Sequence, residues 1–140
     1  MSDEAPSAEE LQAHPAVQTA FAAAWADSFV DDKVLRHEEG GYIYFNPKTG
    51  EVAIRRARSG TRKALNLHVP PMILDSFLVA TYHTHPNPVA EGWDPDPSEE
   101  DRIFAKESGV PWFVISEYGI SYAGPVRRVG GLTGSCGYPQ

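Results

Sequence analysis

Residues 77–86 read FLVATYHTHP, and this stretch decides the fold. Its first six residues are uncharged and rich in strand-forming side chains, the composition of a strand buried on both faces. His83 and His85 follow, and positions two apart on a strand face the same way, about 6.5 to 7 Å apart at Cα. Two imidazoles so placed can converge on one metal ion, while Pro86 ends the strand and leaves the pair at the rim of the sheet. Taken alone, His-X-His is equally the mark of two half-exposed histidines at a strand end. The rest of the chain has to supply the missing parts.

Downstream, residues 86–97 (PNPVAEGWDPDP) hold four prolines, which excludes regular helix or central strand and predicts a loop with Trp93 in it. Ser98 then opens a helix running to Lys106 or Glu107, and Gly109 stops it. Asp101 stands three residues after Ser98, in the first turn of that helix, where it can serve as a third, oxygen ligand. Ser-X-X-acid is also the sequence of a capping box, in which hydroxyl and carboxylate satisfy free backbone donors. The two roles are compatible. WFVIS at 112–116 and ISYAG at 120–124 predict two more strands around the turn at 117–119.

Upstream, Val17, Phe21, Trp25 and Phe29 recur every three or four positions, predicting an amphipathic helix that starts near Ser7 or just after Pro15. From Gly41 the pattern changes to a hairpin, Tyr42 to Phe45 and Glu51 to Arg56 around Asn46-Pro47-Lys48-Thr49-Gly50. A further short run from Ala64 to Val69 precedes Pro70-Pro71. The order predicts an α+β fold, a central mixed sheet flanked by the N-terminal helix and by the helix after the loop. One domain over 10–126 is expected, between loose tails at 1–9 and 127–140.

Composition narrows the function classes. The 140-residue chain, 41% hydrophobic and 22% charged, is that of an ordinary globular protein. Nineteen acidic against twelve basic residues give a net charge of -7, which disfavours a nucleic-acid partner despite the cluster at Arg55, Arg56, Arg58, Arg62 and Lys63. The single cysteine, Cys136, excludes an intramolecular disulfide framework, fits a reducing compartment and shows no activating neighbourhood. The acidic start MSDEAPSAEE is unlike a secretory signal, and no apolar run approaches the ~20 residues that span a bilayer. A cytoplasmic location and no membrane partner are therefore expected, with delivery by a specialised secretion system leaving no trace in such a sequence.

The order Glu38, then His83-Thr84-His85-Pro86, then Ser98-Glu99-Glu100-Asp101 resembles the JAMM signature of MPN-type metallo-isopeptidases. The resemblance implies an MPN/JAB-like domain and a zinc ion held by His83, His85 and Asp101. It further implies Glu38 as the general base and Ser98 as the group that steadies the oxyanion. Glu38 stands three residues before Gly41, the spacing the resemblance favours, while period-two alternation turns Glu39 to the other side. Twelve residues separate His85 from Ser98, more than in the compact eukaryotic signature. That long form is similar to bacterial JAB-like domains, some of which are toxin modules of secreted proteins.

Two functions follow as expectations. One is a zinc hydrolase cleaving a peptide or isopeptide bond in a protein or peptide substrate, on a ubiquitin-like conjugate or as a toxin-type effector. The other is a non-catalytic MPN-like scaffold that binds a partner protein through the Pro-rich loop and the hairpin edge. Metal discriminates them, since a scaffold has no need of the four-residue set.

Overall fold

The strand predicted at FLVATY runs two residues further and takes His83 and Thr84 into the sheet. In the computed structural model, which describes residues 4–133, this strand is β3 (Phe77–Thr84), and all eight of its residues are buried. Burial on both faces follows from its place at the centre of a five-stranded sheet ordered β2-β1-β3-β4-β5. The partners are β1 (Gly40–Phe45), β2 (Val52–Arg56), β4 (Trp112–Ser116) and β5 (Gly119–Ala123). β3 pairs antiparallel with β1 and parallel with β4, so the sheet is mixed.

A parallel neighbour requires a crossover, and α3 (Glu99–Ser108) supplies it between β3 and β4. The helix covers one face of the sheet, where Ala105 packs with Tyr42, Tyr44, Leu78 and Trp112. The opposite face is covered by α1 (Ala8–Ala13) and α2 (Pro15–Asp27), whose Leu11, Val17 and Phe21 pack on Ile43, Tyr82 and Phe113. Both candidate helix starts are used: Ser7 caps α1, and His14 then ends α1 and caps α2 through its Nδ1, which accepts from the Ala16 N–H at 3.1 Å. The helix expected to reach Phe29 stops at Asp27 because Ser28 is its C-cap and Phe29 turns to a left-handed φ of 50°.

The Pro-rich segment is a loop as expected, with one 3-10 turn at Val89–Glu91. Two expectations need correction. The run from Ala64 to Val69 forms no strand; Leu65 and Leu67 instead pack against the α3-side core as part of a loop. The tails at 1–9 and 127–140 are packed where described: Ala5, Ala8 and Leu132 are buried, and Arg128 donates from its guanidinium to the carbonyls of Leu78 and Gly131. Cys136 lies outside the described residues. No helix among the described residues is long and apolar enough to cross a membrane.

Gly40 explains how β1 comes close enough to bring its leading residues beside the β3 histidines. A Cβ at Gly40 would stand 2.1 Å from the Tyr82 carbonyl oxygen and 2.7 Å from Leu65 Cδ2, so only glycine fits between β3 and the loop above it.

Candidate metal centre

Register decides which side chains meet. Gly40 pairs with His83, and continuing that antiparallel register sets Glu39 opposite Thr84 and Glu38 opposite His85. Alternation then gives His83, His85 and Glu38 one face, the α3 side, and Thr84 and Glu39 the other.

On the α3 side, the N-terminal turn of the helix delivers Asp101. Its Oδ1 lies 3.1 Å from His83 Nε2, its Oδ2 lies 3.3 Å from His85 Nε2, and the two ring nitrogens are 3.2 Å apart. These three residues form a buried to half-buried group able to hold a metal ion. The spacing fits the donor chemistry: ligands about 2.0 to 2.1 Å from a tetrahedral zinc stand about 3.3 Å from one another. An ion held by these three donors would have a fourth position for solvent or substrate.

Ser98 and Asp101 make the capping box, and the carboxylate serves the helix and the histidines at once. Ser98 Oγ accepts from the Asp101 N–H at 3.1 Å, and the Ser98 N–H donates to Asp101 Oδ2 at 2.8 Å. Ser98 lines the same cleft, so its hydroxyl hydrogen remains available there. Burial alone would raise the Asp101 carboxyl; the hydrogen bonds of His83 and His85, the charge of His83 and the Ser98 N–H outweigh it and hold the group well below the usual carboxylate range. Burial likewise opposes charge on His85, but the Asp101 carboxylate wins and raises its pKa.

Glu38 sits beside this group, 7% exposed and lining the cleft, and its carboxylate takes no hydrogen bond from another described residue. Burial pushes it up to about 8, with His85 pulling down and Asp101 pushing further up. Its backbone is pinned by the loop after β2: the Glu38 N–H donates to Thr61 O at 2.8 Å and the Gly60 N–H to Glu38 O at 2.9 Å.

Across the sheet, Glu39 is saturated. It accepts from His37 Nε2 at 2.5 Å, from Ser59 Oγ, and from Arg56 at 3.1 Å, and that guanidinium also pairs with Asp27. Its N–H donates to Thr84 Oγ1, which in turn donates to Ser28 Oγ, because Ser28 gives its own proton to Ala24 O. His37 is therefore a half-buried partner of Glu39.

The metal group opens into a cleft of about 260 Å³ whose walls include Leu65, Phe104 and Trp112 with Lys63 and Trp93 at the mouth. Lys63 Nζ lies 5.8 Å over the Trp93 ring. Two residues that sequence reasoning missed anchor the Pro-rich loop. Buried Arg36 pairs with Glu91 at 3.0 Å while donating to the Val30 carbonyl, and Asn87 Nδ2 donates to Arg62 O at 2.7 Å. No local pattern marks them, since their partners lie 55 and 25 residues away.

No family model, characterised protein or solved structure matches the chain.

Proposed function

We propose that the chain is a zinc-dependent hydrolase of peptide or isopeptide bonds, of the JAMM kind that its motif order resembles. One observation carries the reading: Glu38 lines the cleft beside three metal-competent donors, and its carboxylate takes no hydrogen bond from another described residue. A structural role would have supplied that carboxylate with partners, as it does for Glu39.

His83, His85 and Asp101 are the residues that would hold the ion, and His83 fits the role: its Nε2 faces the other donors while its Nδ1 is buried without a partner among the described residues. Bound there, zinc supplies Lewis acidity, polarising a carbonyl and favouring ionisation of water at neutral pH. Glu38 takes the proton of the attacking water on its carboxylate and passes it to the departing nitrogen as the C–N bond breaks. A neighbouring dication favours the ionised carboxylate, offsetting the burial that otherwise keeps it protonated. Ser98 directs its hydroxyl hydrogen toward the oxygen that gains charge. Leu65, Phe104 and Trp112 supply the apolar part of the cleft wall beside these groups.

Elemental analysis and turnover test the reading together. The purified protein should carry about one zinc per chain, the load of a mononuclear catalytic site. Full metal content in a His83→Ala, His85→Ala double variant would refute the ligand assignment. Glu38→Gln should keep metal and lose hydrolysis of an amide substrate; if Glu39→Gln does so instead, the base is the wrong glutamate.

A further inference from the structure

Five of the twelve basic residues fall within positions 55–63, which contain no acidic residue; the other seven share the chain with nineteen carboxylates. In the structure this segment leaves the edge strand β2 and forms the wall of the site. Only Arg56 among the five has a carboxylate partner, so Arg55, Arg58, Arg62 and Lys63 carry unpaired charge among the described residues. A second cleft, of about 560 Å³, opens along the same segment and shares Ala64 and Leu65 with the metal cleft. Its lining carries Arg58, the carboxylate-paired Arg56 and no acidic side chain, whereas the metal cleft carries Asp94, Asp96 and Glu100 beside its ligands and outnumbering its own cations, Arg62 and Lys63.

We propose that this second cleft is a subsite for an acidic stretch of the substrate polypeptide, running from the scissile amide past Leu65 onto Arg58. The inference rests on the hydrolase reading for the position of the scissile bond, but the binding it describes does not require turnover. Charge selects a peptide over a nucleic acid. A polyphosphate continuing into the metal cleft would meet Asp94, Asp96 and Glu100, while a polypeptide can be acidic over one stretch and neutral at the next. Val69 and Pro71 in the same lining give apolar contact between the charges.

The test is fluorescence anisotropy on the full chain with its metal removed by chelator, so that carboxylates on the probe have no ion to bind. A short labelled peptide alternating glutamate and alanine should bind, more weakly as salt rises. Arg58→Glu should weaken it roughly tenfold and Arg58→Gln by less, the order expected of a charge contact. Equal binding of a lysine-alanine peptide, tighter binding of a short single-stranded DNA, or no change in Arg58→Glu would overturn the proposal. If the hydrolase reading alone fails, the acidic peptide still binds and no amide is cleaved. If the subsite alone fails, metal-loaded protein cleaves acidic-flanked and neutral substrates at a ratio that Arg58→Glu does not alter.

Discussion

Glu38 and Glu39 are adjacent, similarly buried and chemically identical, yet they live in opposite worlds. Glu39 faces the α2 side, where His37, Ser59, Arg56 and, through its backbone, Thr84 leave it little unmet demand. Glu38 faces the α3 side beside His83, His85 and Asp101, with nothing donating to its carboxylate among the described residues. A buried carboxylate with partners is architecture; a carboxyl group set at a cleft without them is held for something that arrives later. The contrast needs no knowledge of the reaction.

The harshest way to break the comparison is to empty the α3 side. Asp101→Ala removes one of three donors and half of a capping box, so zinc affinity measured by competition with a chelator should fall by ~10³ or more, beyond the effect typical of losing an outer-shell partner. Affinity unchanged within tenfold would detach Asp101 from the ion.

On the α2 side the loss should appear in folding rather than chemistry. Glu39→Gln leaves Arg56 and His37 without their buried partner and should cost about 3 kcal/mol in chemical denaturation, at the lower edge for breaking a buried ion pair. Glu38→Gln should cost far less near neutral pH, and a similar loss in both variants would erase the distinction.

pH sharpens it further. The folded-state pKa of Glu38, about 8 without metal, lies above its ordinary value of 4.5. The folded chain thus binds the extra proton between those values, and this stability, full below 4.5, declines as pH rises and is gone above about 8. Chelated Glu38→Gln should escape that decline and exceed the parent in stability at alkaline pH, as read from melts across the range. Parallel pH curves would place the carboxylate in water. The smallest effect belongs to Ser28→Ala, which removes one link of the Ser28–Thr84–Glu39 chain and should cost about 1 kcal/mol in thermal unfolding with zinc content intact.

Much of this layout was legible in the sequence because the informative signals are local. The uncharged run ending in two histidines and a proline marks β3, Ser98 with Asp101 marks the start of α3, and alternation separates Glu38 from Glu39. What escaped depends on distant partners. Leu65 and Leu67 alternate like a strand, yet no neighbour strand takes up their backbone, so they become a packed loop. Arg36, Asn87 and Arg128 look like surface residues in any window, and burial becomes affordable only through carbonyl and carboxylate acceptors far along the chain.

The span from Pro86 to Pro97 begins where β3 ends and finishes where Ser98 clamps the next helix, so both of its attachment points are fixed by structure outside it. Inside it Glu91, Asn87 and the Asp94 carbonyl are tied to Arg36, the Arg62 carbonyl and His85, so changes that spare these three anchors can lengthen or replace the rest at a modest entropic cost while His85 and Asp101 keep their positions. A chain built this way can change what its cleft admits without disturbing the residues at its floor, which makes this segment the natural place to graft a new preference.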